Sequence, residues 1–193
     1  MIDEVSIFSE DFPIKINSLY GNSKSKASAM EHALRGHIKV SLQNSDPAMY
    51  RKFDDRINEL INKYQNNWDQ MLVELEELRR EAAAGRSESE LKVPIYQAPF
   101  FDLICLACEN DEQNTNEAEL IILSNEVMAA IFDSIVISDF WNKSDETLRL
   151  TGKIEQLIRF SGVPSIEIKD KEITSDILKL TKNNHNEILR CLR

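Results

Sequence analysis

The sequence predicts an all-α fold, an irregular bundle of about six to seven helices, from two observations. Only five glycines and five prolines occur in 193 residues, which leaves little of the turn chemistry that a many-stranded sheet requires. The long segments between them repeat apolar residues at spacings of three and four, the period of an amphipathic helix. We expect one domain over residues 1–193, with possible sub-lobes at 1–86 and 94–193.

The first patterned segment is MEHALRGHIK, residues 30–39. On a helix, four of its residues form an apolar stripe: Met30, Ala33, Leu34 and Ile38. His37 lies near the middle of that stripe, so we predict a core histidine that is hydrogen-bonded inside the protein. Glu31 precedes Arg35 by one helical turn and is expected to pair with it.

The two histidines of this segment do not predict a metal site. His32 and His37 are about 140° apart on a helix and cannot hold one ion from one face. Zinc-binding helices use HExxH, in which the histidines are four residues apart. His32 instead shares a polar face with Arg35 and Lys39. Two interpretations of that face stay open, a solvated surface or a contact patch for carboxylate or phosphate groups.

An antiparallel helical hairpin is predicted for residues 47–65 and 67–84. Asp46 and Pro47 are typical of a helix start, as N-cap and first helical residue. Apolar residues follow at helical spacing: Tyr50, Phe53, Ile57, Leu60, Ile61 and Tyr64. After two asparagines a second apolar face begins at Trp68 and stops at a glycine. The short connection between the helices favours the antiparallel arrangement.

The second half of the chain begins with a polar loop at 87–94. Four further helices are predicted: 97–108, 117–138, one capped by Ser144 or Asp145 that ends near Gly162, and about 174–192. The apolar set of 117–138 is too broad for a surface helix, so this helix is expected to be central. The aromatic residues expected in the core are Trp68, Phe100, Phe101, Phe140 and Trp141.

The charge of −10 is unevenly distributed along the chain. Residues 15–63 carry nine basic against five acidic side chains, whereas residues 64–150 carry six against eighteen. The total argues against a dedicated nucleic-acid binder. The basic segment could still contact phosphates if a partner held it on DNA, and its candidate contact residues are Glu31, His32, Arg35, Lys39, Arg51, Lys52 and Lys63.

No leader and no apolar run long enough for a membrane span is recognised, so we expect a cytoplasmic protein with no membrane partner. The three cysteines do not form a disulfide framework. Cys105 and Cys108 have the spacing of half a zinc site, but without a second such pair they are expected in the core.

Motifs of catalysis are not found. The sequence contains no P-loop, no G-x-G-x-x-G and no G-x-S-x-G motif. Glu167 and Lys169 form the E-x-K part of a nuclease motif, but they lie in a short interhelical segment instead of the mixed sheet that such sites require. We therefore predict no catalytic residue, metal or cofactor in this chain.

Several long stretches resemble the C-terminal helical region of the R subunit of type I restriction enzymes. They include ASAMEHALRGHIKV, DPAMYRKFDDRINELINKY, QAPFFDLI and LTKNNHNEILRCL, so the resemblance covers nearly the whole chain. The segment from Met30 to Ile38 is its most specific part. The family often has a second histidine where this chain has Gly36, a departure that concerns any role of adjacent histidines.

The resemblance implies a piece of a prokaryotic motor subunit that has nuclease and ATPase domains upstream. The longer subunit is then an ATP-dependent type I deoxyribonuclease, with ATP and Mg²⁺ bound in those upstream domains, and Met1 is expected to lie inside it. For this chain the resemblance implies noncatalytic docking on the methyltransferase and specificity subunits. The alternative is a sequence-independent contact with duplex DNA through the basic 15–63 segment.

Overall fold

The computed structural model describes residues 7, 9–108 and 116–192, and every regular element in this part of the chain is helical. Its α-helices are α1 (Asp11–Leu19), α2 (Ser23–Leu42), α3 (Pro47–Lys63), α4 (Trp68–Ala84), α5 (Ala98–Ala107), α6 (Glu117–Ile135), α7 (Ser144–Arg159), α8 (Pro164–Glu167), α9 (Asp170–Asn183) and α10 (His185–Cys191). Single 3-10 turns lie at Glu88–Glu90 and Phe140–Asn142. The all-α prediction is confirmed.

The predicted number of six to seven helices is too low, since the described residues form ten. The sequence analysis assigns no helix to α1 and none to the single turn of α8. The last predicted helix, 174–192, is two helices, because the backbone leaves the helical conformation at Asn184 (φ −98°, ψ 11°). The Asn184 amide donates to the Leu180 and Ser45 carbonyl oxygens, at 3.1 and 2.8 Å.

The ends of α3 and α4 follow the predicted local signals. α3 begins at Pro47, directly after Asp46. At the start of α4 the Asn67 Oδ1 accepts a hydrogen bond from the Gln70 N–H at 3.3 Å. α4 ends before Gly85, whose φ of 68° is a left-handed conformation that glycine adopts without steric cost.

The predicted cap of α7 is wrong. Lys143 occupies the N-cap position and its side chain makes no capping hydrogen bond, while Ser144 and Asp145 lie in the first turn. Asp145 and Glu146 are nevertheless favourable there, because carboxylates stabilise the positive end of the helix dipole.

The chain divides into two compact units. The first consists of Met1–Gln43 and Met49–Ser87, and the second of Asn44–Ala48 and Glu88–Arg193. Twelve basic and thirteen acidic side chains fall in the first unit, against eleven and twenty in the second. The acidic character of the chain therefore belongs to the second unit. The single domain over 1–193 stays a prediction.

In the first unit α2 packs most extensively against α4. Side-chain bonds from Arg56 to Glu81 and from Tyr64 to Glu74 join α3 to α4 in opposite chain order, as the predicted antiparallel hairpin requires. The core is formed by Ile7, Phe12, Ile16, Ala27, Met30, Leu34, Ile38, Phe53, Ile57, Met71, Leu75 and Leu78.

In the second unit α7 packs against α6 and α9, and α5 packs against the same two helices. α6 contributes eight buried residues, which fits its predicted central position. Within the described ranges no helix is long and apolar enough to cross a membrane.

Candidate functional site

Arg35, a candidate contact residue, is the centre of a polar network between α2 and α3. Its Nε donates to Glu31 Oε1 at 3.0 Å, one turn earlier in α2, so the expected pair is present. Its two terminal nitrogens donate to Asp54 Oδ1 at 2.5 Å and to Asn58 Oδ1 at 2.7 Å. Because every donor direction of the guanidinium is occupied, Arg35 and Glu31 fasten two helices together and are poorly placed to bind a phosphate.

The two histidines of α2 have different environments. His32 is exposed, whereas His37 is half-buried at the edge of the helix face that packs inward. Burial lowers the pKa of His37 below its ordinary value, because a charged imidazolium loses hydration there. The His37 carbonyl also accepts the Ser41 hydroxyl at 2.8 Å.

The basic segment is largely neutralised by its own surroundings. Arg51 lies 3.8 Å from Asp55 in an exposed pair. Arg56 binds Glu81, and this hydrogen bond raises the pKa of Arg56 and lowers that of Glu81. The excess of positive charge counted along the sequence is therefore smaller on the folded surface.

Three lysines of the candidate set remain exposed: Lys39, Lys52 and Lys63. The Lys63 ammonium lies 4.9 Å from the centre of the Tyr64 ring, and its interaction with the Tyr64 hydroxyl raises the pKa of Lys63. Lys52 contributes to the lowered pKa of Glu81 across the hairpin. These lysines lie on two different helices, α2 and α3, and do not form one cluster by sequence position.

One buried charge was missed by the sequence analysis. Arg79 is only 6% exposed and donates from Nη1 to the Ile7 carbonyl at 2.6 Å. Its Nε and Nη2 each bind a different oxygen of Glu76 at 2.8 Å. Burial alone would raise the pKa of Glu76, but the hydrogen bonds from Arg79 and Arg80 outweigh it and hold the pKa below its ordinary value.

A groove lies next to this cluster in the first unit. Its volume is about 330 Å³, and its lining combines apolar and charged side chains: Pro13, Ile16, Asn17, Met30, Leu72, Val73, Glu76, Glu77 and Arg80. Val73 is 53% exposed on its rim. The groove could receive one large apolar side chain.

The side of α2 that points away from the core forms a continuous exposed face. We name it the α2 outward face and define it by His32, Gly36, Lys39, Val40 and Gln43, all exposed. Val40 is 86% exposed, the largest value among the exposed large hydrophobic side chains. A Cβ atom added to Gly36 would meet no atom within 4 Å. The sole acid of α2 is Glu31, which is bound to Arg35.

The predicted core aromatic residues lie at different depths. Phe100, Phe101 and Phe140 are buried, and Trp68 and Trp141 are partly buried. The Trp141 Nε1–H donates to His185 Nδ1 at 3.2 Å, so His185 connects α10 to the turn after α6. This contact has no local sequence signal.

The nuclease-like pair of the second unit is occupied by structural contacts. Glu167 Oε1 accepts the Gly162 N–H at 3.0 Å, and the Lys169 ammonium donates to the Ala107 carbonyl at 3.1 Å. The two side chains therefore serve separate neighbours. Among the described residues no group of three or more His, Cys, Asp or Glu side chains could hold a metal ion.

The two cysteines of α5 and its C-cap lie at or near the core, as the sequence predicts. Cys108 is buried, and its thiol donates to the Ile104 carbonyl at 3.5 Å. Cys105 is partly buried, and burial raises the pKa of its thiol to about 12. Neither thiol has the lowered pKa that characterises reactive cysteines.

Comparison with known proteins gives one family. The model of the C-terminal domain of type I restriction enzyme HindI endonuclease subunit-like proteins matches residues 2–187. No curated protein and no solved structure matches the chain.

Proposed function

The chain belongs to the family of C-terminal domains of type I restriction enzyme HindI endonuclease subunit-like proteins, and from this premise we propose that it is a noncatalytic docking domain. It fastens an ATP-dependent translocase and nuclease to the methyltransferase and specificity subunits of a restriction-modification complex in the prokaryotic cytoplasm. The observation that carries the proposal is the match over nearly the whole chain, which assigns these 193 residues to the end of an endonuclease subunit.

The contacts of the polar residues support a docking role over a catalytic one. Arg35, Arg79 and Glu167 are all occupied in fastening helices or loops of the chain itself. What remains accessible is helical surface, including the α2 outward face and the groove beside Val73. Exposed apolar side chains rimmed by polar ones are typical of protein interaction sites.

A sedimentation experiment tests the proposal. The chain is mixed with the cognate methyltransferase–specificity complex, with and without duplex DNA, at about 0.1 M and about 0.5 M salt. Docking through an apolar face predicts a complex that forms without DNA and survives the higher salt, since screening weakens mainly exposed charge pairs. No co-sedimentation at either salt concentration would contradict the proposal.

Duplex DNA is the second candidate partner, favoured by the exposed lysines Lys39, Lys52 and Lys63. Phosphate contacts release counterions, so each of them makes binding fall more steeply with salt. In the same experiment, association that appears only with DNA and only at the lower salt concentration would favour this second function.

A further inference from the structure

The glycine at the centre of the α2 outward face has no role within the described part of the chain. Gly36 lies in the interior of a 20-residue helix, where glycine is less favourable than alanine. Its φ is not positive, and a Cβ atom built there meets nothing within 4 Å. Neither backbone conformation nor internal packing therefore requires a glycine at this position.

A helix in the second unit provides a comparison. Gly152 lies in the interior of α7, is exposed, and also has open space around a built Cβ atom. The cations next to it are already paired, Arg149 with Glu146 at 3.0 Å and Lys153 with Asp133 at 3.4 Å. The surroundings of Gly152 thus carry no unmatched charge.

The α2 outward face differs in its charges. Neither His32 nor Lys39 forms an ion pair with another described residue. The sole carboxylate of α2, that of Glu31, is turned to Arg35. The face therefore combines an exposed Val40, an open backbone position and basic groups that have no acidic partner within the described ranges.

These observations define the chemistry of an occupant. Two helices normally pack with their axes about 8–10 Å apart, and a glycine at the crossing point permits a close approach of the backbones. One lysine and one histidine are too few for duplex DNA, whose specific or non-specific binding usually rests on several phosphate contacts. A protein helix with carboxylates beside its apolar stripe is complementary in both shape and charge.

We propose that the α2 outward face receives a single amphipathic helix of the methyltransferase–specificity complex. That helix places small or apolar residues over Gly36 and Val40 and carboxylates opposite His32 and Lys39. This inference rests on the proposed docking function and identifies the surface that performs it.

Three variants of the 193-residue chain test the inference in binding titrations with the cognate methyltransferase–specificity complex, without DNA. Gly36→Leu inserts a side chain at the proposed crossing point and is expected to weaken binding about tenfold or more. Lys39→Glu is expected to weaken it by about three- to tenfold, less at high salt. Gly152→Leu is the matched control and is expected to bind like the wild type.

The outcomes separate the inference from the docking function. If the wild-type chain binds and Gly36→Leu binds equally well, the inference is wrong and docking uses another surface. If the wild-type chain does not bind, the docking function fails and the inference fails with it. A dimer of the chain that Gly36→Leu dissociates would make a second copy the occupant and would also overturn the inference. Circular dichroism checks that both leucine variants keep their helices.

Discussion

Replacement of Arg79 by alanine is expected to destabilise the first unit strongly. The side chain is 6% exposed and makes three bonds of 2.6 to 2.8 Å, two to Glu76 and one to the Ile7 carbonyl. Its loss leaves a carboxylate and a carbonyl oxygen without their main donor. Removing one partner of a buried ion pair costs about 3–5 kcal/mol. Because Glu76 keeps a second partner, Arg80 at 3.2 Å, we expect about 3 kcal/mol.

The neighbouring arginine is a matched control. Arg80 binds the same carboxylate, but its side chain is 70% exposed, and exposed pairs contribute about 0–1 kcal/mol. Arg80→Ala should therefore change the unfolding free energy by well under 1 kcal/mol.

The assay uses the position of the two tryptophans, one in each unit. In a Trp141→Phe background, the fluorescence of Trp68 reports urea unfolding of the first unit alone. A lower urea midpoint with an unchanged slope would show a loss of stability. Arg79→Ala and Arg80→Ala variants with equal unfolding free energies would refute the assignment of Arg79 as the buried fastening.

Three further results are expected. Gly36→Ala and Gly152→Ala should each raise the unfolding free energy by about 0.5–1 kcal/mol, because both helix positions accept a Cβ atom; chemical denaturation measures this, and a destabilised variant would contradict it. The lowered pKa of His37 means that the unfolded state binds a proton more readily than the folded state, so stability should fall as the pH drops below about 6.5. His37→Gln should reduce that fall and His32→Gln should not, whereas equal effects in the two variants would argue against it. In thiol titration at pH 8, exposed Cys191 should react much faster than the other two thiols, and a fast phase that persists in Cys191→Ser would be inconsistent with the structure.

Local signals in the sequence predicted the elements that depend on local physics. The apolar spacing from residue 47 onward and the Asp46–Pro47 start correctly predicted α3, and Gly85 correctly marked the end of α4. The break at Asn184 was missed, because its amide is held by the Ser45 carbonyl, 139 residues away in the chain. Helical periodicity continues through such a position and gives no warning of it.

The same division applies to the candidate site. The pair of Glu31 and Arg35 follows from a spacing of four on a helix. The contacts of Arg35 with α3 and of Arg79 with Ile7 could not be predicted, since each requires the packed arrangement of separate helices. The exposure of Gly36 was recognisable only once the buried side of α2 was known.

Competition with an intact restriction enzyme tests the docking function most directly. An excess of the 193-residue chain is added to the methyltransferase–specificity complex before the full-length endonuclease subunit, and DNA cleavage and methylation are both measured. If the chain docks, it occupies the sites of the endonuclease subunit, and cleavage should fall with increasing chain while methylation continues. Cleavage that is unchanged at a large excess of the chain would contradict the account.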